Sequence, residues 1–387
     1  MNIRELYQNY VADTYGRFDL TLTEGKGSLL TDDAGKIYID LGTGIAVNIF
    51  GVADESWQQA VTEQMARLHH TSNLYYNAPQ AELAKLLCEK TGMKNVFFGN
   101  SGAEANECAI KVARKYAYDT KGEQNPVIVT LKNSFHGRTV TTLSATGQDS
   151  FHQYFGPFTP GFVHVEPDDI SQMEAALFDP KVCAVMLEMV QGEGGIHVLD
   201  KEYVQKVAAL CQKKGVLLMV DEVQTGNGRT GELYAYTQFG ISPDVVSTAK
   251  GLGGGLPIGA CLMNEKTAGV LTPGTHGSTF GGNPLCAAGA LSIVKRIDDA
   301  LLKGVQEKSN YIVETLNNAP GVKSVSGLGL MLGIETEKPA KEVVAACQDK
   351  GVLVLTAKQK VRLLPALNIP MKLLIQGIEI LKEAVKP

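Results

Sequence analysis

Short apolar runs alternate with amphipathic stretches through the middle of this chain, and that alternation limits its folds more than any other feature. VIVTL (127–131), VCAVMLE (182–188), GVLLMVDE (215–222) and DVVSTAK (244–250) read as buried strands. Between them, KEYVQKVAALCQKK (201–214) sets Val204, Val207, Ala208 and Cys211 at three- and four-residue steps, the period of a helix with one apolar face. Strand, helix, strand in repetition predicts an α/β fold with a mainly parallel sheet covered on both sides. NVFFGNSGAEANECAIKVARKYAY (95–118) reads as one more strand turning through Gly99 and Gly102 into a long helix. After about residue 280 the character changes to shorter helices and strands, KEVVAACQDKGVLVLT (341–356) and VRLLPAL (361–367) among them. The expected division is an N-terminal segment, 1–45, packing with a small C-terminal domain, 281–387, and a large domain, 46–280. With 387 residues, 44% hydrophobic and 20% charged, the chain has enough apolar surface for a large core and a smaller companion.

Charge narrows the partners. A net charge of −5 argues against nucleic acid or an anionic membrane as the main partner, because both require a basic face. The opening MNIRELYQNYVADTYGRF has no apolar core of a signal peptide, and no later run approaches a membrane span. Seven cysteines are scattered without metal-ligand spacing, so they read as reduced core residues of a cytoplasmic protein. No histidine pair has the spacing of a metal site, since His69 and His70 are adjacent and face different ways.

In open parallel sheets ligands bind beyond the carboxyl ends of the strands. Charged groups fall there: Asp221 directly after VLLMV, and Lys250 after DVVSTA. Alone, Asp221 is as well explained by a strand-end cap as by a functional buried charge. An oppositely charged lysine at the next strand end favours the second, because the two would share a crevice. The turn GNSGAEANE (99–107) offers unpaired backbone N–H groups at a helix start, suited to an anion, while Ser101 and Glu104 also have the spacing of a capping box. GNGRTG (226–231) matches a dinucleotide-binding pattern, but DEVQT separates it from its strand and the following ELYAYTQFG is a poor helix. Lys250 precedes its glycines, unlike the lysine of a phosphate loop. Arg138, in NSFHGRT, is a surface charge or a bidentate carboxylate ligand.

NSGAEANE, FHGRT, EMVQGEGG, VDEVQTGNGRTG, STAKGLGGGLPIGA, STFGGNPL and VRLLPALN occur in that order. Together they closely resemble the class III, ornithine-type aminotransferases that use pyridoxal 5'-phosphate, over nearly the whole chain. The resemblance implies a fold-type I transferase, a homodimer with both active sites at the subunit interface. It implies Lys250 as the covalent link to the cofactor and the proton carrier, and Asp221 as the partner of the pyridine nitrogen. Gln224 is implied near the ring hydroxyl, Val223 on one ring face, and His136, or Phe135 beside it, on the other. Ser101, Gly102 and Ala103 are implied as the phosphate cradle, with Thr279 reaching it from the other subunit and Ser278 at the substrate.

For substrates the resemblance implies an amino acid and a 2-oxo acid taken in turn. Arg138 would hold the distal carboxylate of 2-oxoglutarate, and Arg362 the one beside the reacting carbon. An ω-amine donor lacks that second carboxylate, and Glu193 in QGEGG would then pair with Arg362, where otherwise it reads as a surface glutamate. Tyr15, in TYGRF, lies where the family often has a tyrosine near a substrate carboxylate; a core tyrosine explains it equally. FHGRT with histidine, GIAVN (44–48), QGEGG and the compact length are most similar to the N-acetylornithine branch of the family. That branch implies transfer from N-acetyl-L-ornithine to 2-oxoglutarate, in arginine biosynthesis; ornithine, succinylornithine and 4-aminobutyrate enzymes share most of these motifs, and an NAD-dependent oxidoreductase is the alternative from another class. Two stretches depart from the pattern. IFGVADESW (49–57) stands where the family usually has a glycine-histidine segment ending in histidine-proline, and Met189 stands where proline is common.

Overall fold

The computed structural model describes residues 2–387. Its central sheet has seven strands: β1 (Asn95–Gly99), β2 (Val127–Leu131), β3 (Phe162–Val165), β4 (Val182–Leu187), β5 (Leu217–Asp221), β6 (Val245–Thr248) and β7 (Gly259–Met263). Their order is β1-β7-β6-β5-β4-β2-β3. From β3 through β6 every pairing is parallel. β7 alone runs antiparallel, against both β6 and β1. All four apolar runs form strands here, and β4 and β5 are buried at every residue, as a sheet covered on both faces requires.

The helices follow from their sequence faces. α1 (Gly102–Lys121) buries Ala105, Cys108, Ala109, Val112 and Ala113 at helical spacing. α2 (Lys201–Lys214) buries Val204, Val207 and Cys211 as expected and adds Tyr203, while Ala208 is only partly covered. Asp200 caps its N-terminus, accepting from Tyr203 N–H, and Gly215 ends it at φ 64, the left-handed region where glycine carries no Cβ penalty.

A second core gathers residues from both ends of the chain. Strands at Leu22–Lys26, Leu29–Asp32 and Ile37–Asp40 form an antiparallel ladder, and Ile37–Asp40 pairs in parallel with Val352–Leu353. Ile39 and Leu41 pack with Val343, Val352, Val361 and Leu381. A separate four-stranded sheet, Val322–Leu328, Met331–Thr336, Lys360–Leu363 and Leu355–Ala357 in spatial order, carries Arg362. α3 (Pro284–Lys295) joins the two cores, with Ala287, Ala290 and Val294 in the first and Ile293 in the second. We propose the division at 45/46 and 280/281 as a description of these cores, with α3 spanning both and Ile49 and Phe50, just past the first boundary, packed in the second. All seven cysteines are free thiols, and all but Cys88 are buried. No helix of the described residues is long and apolar enough to cross a membrane.

Candidate active site

β4, β5 and β6 end along one edge of the sheet, and each is followed by or closes on a charged residue: Glu188, Asp221 and Lys250. All three line one cavity of about 460 Å³, together with Ser101, Gly102, Ala103, Phe135, His136, Arg138, Val223 and Gln224. The parallel strands therefore bring together residues that lie far apart in sequence, at the position where open sheets bind ligands.

Asp221 is 3% exposed and fully engaged. Its Oδ2 accepts from Asn106 Nδ2 at 2.7 Å and lies 2.9 Å from His136 Nδ1, and its Oδ1 accepts from Val223 N–H at 2.9 Å. Asn106 also donates to the His136 carbonyl at 2.8 Å, so α1 and the 135–138 loop jointly orient the carboxylate. No spacing in the sequence marks Asn106, although it lies on the first turns of the helix that opens at the site. Of the two aromatics offered for one ring face, His136 lines the cavity with its side chain buried against Asp221, and its Nε2 has no partner. Phe135, the other aromatic offered, lines the cavity too, with Val223 also on its wall.

Lys250 carries backbone strain, with φ 44 in the left-handed region, which costs a non-glycine residue roughly 1–3 kcal/mol. Burial lowers its pKa from the ordinary lysine value, against the opposing charges of Asp221, Glu193 and Glu188. Glu188 was also without a role in the sequence. Burial pushes its carboxyl well above the usual range, with the Asp221 charge adding, although Phe135 N–H donates to it at 3.0 Å.

α1 points its N-terminus into the cavity. Ser101 Oγ accepts from Glu104 N–H at 3.1 Å, so the cap exists, but Glu104 reaches back to Asn100 N–H instead of Ser101 N–H. The N–H groups of Gly102 and Ala103 precede any intrahelical partner and add to the positive end of the helix dipole. Gly102 is required here: a Cβ would stand 2.6 Å from Val223 Cγ1.

Arg362 reaches toward this site from the second core. Its Nη1 lies 2.6 Å from Glu193 Oε1 and 3.4 Å from Gln224 Oε1. Neither member of the pair lines the cavity, but Gln224 does and bonds to both. Burial alone would raise the Glu193 pKa; the Arg362 charge and hydrogen bond outweigh it, and the carboxyl is held below its ordinary value. Glycines flank Glu193 because side chains would collide: a Cβ at Gly192 would lie 2.5 Å from Gln224 Oε1, and one at Gly194 2.7 Å from Asn133 O. Met189, in the unusual position, is fully buried, and its carbonyl accepts from Leu199 N–H. Arg138 is exposed at the cavity wall, its guanidinium 4.5 Å from the Phe151 ring centroid.

Three expected residues lie elsewhere in the single chain. Ser278 accepts from Asn100 Nδ2 at 3.2 Å and Thr279 is exposed; neither lines the cavity. Tyr15 is 72% exposed, neither a core tyrosine nor part of this site, and lines a different cavity beside Arg17. The GNGRTG loop does not open a helix. Its Arg229 is 1% exposed and donates to the carbonyls of Leu330 and Pro365, and the next helix is the four residues Tyr236–Phe239. No cluster of metal-ligating side chains occurs among the described residues.

A family model for aminotransferase class-III matches residues 10–385, and the chain belongs to that family. It is similar to the acetylornithine aminotransferase of Haemophilus ducreyi, at 49% identity over 99% of this chain and 98% of the relative. It is also similar to the succinylornithine transaminase of Salmonella paratyphi B, at 44% identity over 97% of this chain and 94% of the relative. Among solved structures, the ornithine aminotransferase from Toxoplasma gondii, with partial occupancy of PLP at its active site, superposes with a TM-score of 0.94. That match is at 32% identity and covers 99% of this chain and 93% of the other.

Proposed function

We propose that this aminotransferase moves the δ-amino group of N-acetyl-L-ornithine to 2-oxoglutarate, giving N-acetyl-L-glutamate 5-semialdehyde and L-glutamate, in arginine biosynthesis. The observation that carries the reading is the Glu193–Arg362 pair beside Lys250: a guanidinium 4% exposed, with a carboxylate partner that a substrate carboxylate can replace. The H. ducreyi relative, by its name, acts on acetylornithine, and the S. paratyphi B one on succinylornithine. The latter makes a larger acyl group the second reading.

The residues fit pyridoxal 5'-phosphate. Asp221 is a buried carboxylate held by two side chains and suited to a protonated ring nitrogen; Lys250 has a suppressed pKa; and Ser101, Gly102 and Ala103 offer a helix start to a phosphate. When bound, the cofactor supplies an aldehyde that captures amines and a ring that draws electron density from the substrate carbon. Lys250 Nζ would be the base that carries the proton between the substrate carbon and the cofactor carbon bonded to the amine, and the burial that lowers its pKa favours the neutral amine this role needs. Gln224 serves the ring hydroxyl, and Phe135 and Val223 the two ring faces. His136 acts through Asp221. Arg138 holds the distal carboxylate of the oxo acid, and Arg362 the one beside the reacting carbon once Glu193 moves away. Leaving Arg362 unpaired while an ω-amine is bound would cost several kcal/mol, and Glu193 prevents it.

A homodimer completes the site, with Thr279 and Ser278 serving the neighbouring subunit's cavity. Exposed apolar side chains around that segment support it: Phe280 is 61% exposed and Leu74 87%. Seven unpaired cysteines support a reducing, cytoplasmic location. Rates of the first half-reaction with N-acetylornithine, N-succinylornithine, ornithine and 4-aminobutyrate test the substrate. N-acetylornithine is expected to be fastest; faster conversion of free ornithine would overturn the assignment.

A further inference from the structure

The departure at 49–57 builds an anchor for the loop that follows Lys250. Trp57, the chain's single tryptophan, lies in the helix Glu55–Met65. Its indole N–H donates to the carbonyl oxygen of Gly253 at 3.1 Å. That same oxygen accepts Leu256 N–H at 3.2 Å, and Gly253 N–H donates to the Lys250 carbonyl at 3.1 Å. The indole is thus two hydrogen bonds from the backbone of the lysine. Close packing leaves the loop little room: a Cβ at Gly254 would stand 3.3 Å from Trp57 Nε1 and 2.5 Å from Ile293 Cδ1.

The base of the indole is fixed in turn. Asp54 caps the helix, accepting from Trp57 N–H at 2.9 Å, and pairs with Arg296 at 2.8 Å. Arg296 stacks its guanidinium 4.0 Å from the Phe50 ring centroid. Trp57, Asp54 and Arg296 line a cavity of about 230 Å³ that shares Gly255 with the candidate active site, so the glycine loop is the wall between the two. Asp54 and Trp57 both belong to the segment that replaces the family's histidine-proline pattern.

We propose that Trp57 is a positioning residue for Lys250: its indole N–H pins Gly253, and the pinned turn holds Lys250 in the left-handed conformation that presents its amine to the cavity. This rests on the reading of Lys250 as the covalent residue. Without the pin, Gly253 keeps its bond to Leu256 and the fold persists, but the turn is free to relax toward water. A lysine that relaxes toward water loses part of its desolvation and titrates nearer the ordinary value.

The test compares the unsubstituted protein with Trp57→Phe and with 3-benzothienylalanine installed at position 57, which replaces the indole N–H by sulfur at nearly the same shape. In each, pyridoxal phosphate is fixed by borohydride and located by peptide mass. In the cofactor-free protein, the pH dependence of Lys250 trinitrophenylation is measured. Both variants are expected to be captured at Lys250, with the trinitrophenylation midpoint raised by about 0.5–1 in pH. Their kcat is expected to fall about tenfold while KM stays within about twofold. Capture at Lys250 with midpoint and kcat unchanged in both variants would overturn the pin alone. Absence of capture in the unsubstituted protein would overturn the underlying reading of Lys250 and this one with it.

Discussion

Glu193 Oε1 lies 2.6 Å from Arg362 Nη1, joining a loop at the edge of the main sheet to a strand of the second core. In the proposed function, that ion pair is what lets the site take an amine donor without a carboxylate beside the reacting carbon and then an oxo acid with one.

Glu193→Ala is expected to shift the balance of half-reactions toward glutamate. With an ω-amine bound, the variant leaves Arg362 buried without a carboxylate, and a charged hydrogen bond is worth about 1.5–3 kcal/mol. The ratio of half-reaction rates, glutamate over N-acetylornithine, should rise about tenfold or more. An unchanged ratio removes the gate. Glu193 titrates below its ordinary value in the folded protein. The stability contributed by the pair is therefore complete above about pH 4.5, the ordinary glutamate value, and lost as pH falls through the lower folded one.

Asp221→Asn keeps the shape and the bond to Val223 N–H but removes the charge proposed to face the ring nitrogen. A fall in kcat of about two to three orders of magnitude is expected, with cofactor binding largely retained, as measured by absorbance during dialysis. His136→Gln, acting one bond further out, should lose less. A His136 variant as damaged as Asp221→Asn would give the histidine a direct role.

Arg138→Lys keeps the charge but removes the planar fork that matches a carboxylate. The KM for 2-oxoglutarate should rise about tenfold or more while the half-reaction with N-acetylornithine changes little. Equal loss in both half-reactions would move Arg138 out of distal-carboxylate recognition.

Glu222 is fully buried next to Asp221, and burial raises its carboxyl to about 7, against hydrogen bonds from Thr225 and the Tyr236 N–H. The folded state therefore holds a proton that the unfolded chain releases near pH 4.5, so stability falls as pH rises from about 4.5 to 7. Glu222→Gln removes a penalty on the order of 3 kcal/mol at pH 8. Its melting temperature is expected to exceed that of the unsubstituted protein at pH 8, with the gap narrowing at pH 5. A gap that widens toward pH 5 would reverse the sign of the argument.

Much of the site was legible because each strand end announces itself: five apolar residues followed by Asp221, or a buried run followed by Lys250. Parallel pairing does the rest, since β5 and β6 align in register and bring those ends together. What stayed hidden depends on contacts between distant segments. Asn106 looks like any polar residue inside a helix until Asp221 is beside it. Glu188 closes an apolar run in the same way as Asp221, yet no partner in the sequence distinguishes it. His136 shows its ring direction only through the carboxylate it meets. The β7 strand and the pairing of Ile37–Asp40 with Val352–Leu353 are equally invisible, since neither periodicity nor a turn motif specifies which strand lies alongside. Tyr15 was the least legible, placed by resemblance and found in a different cavity.

The central claim is that Lys250 forms a covalent bond to pyridoxal phosphate at the ends of β5 and β6. Purified protein incubated with the cofactor, reduced with borohydride and digested should yield one modified peptide, carrying the pyridoxyl phosphate mass on Lys250, and Lys250→Ala should yield none. Modification spread over surface lysines, or a colourless protein that instead binds NAD, would contradict it.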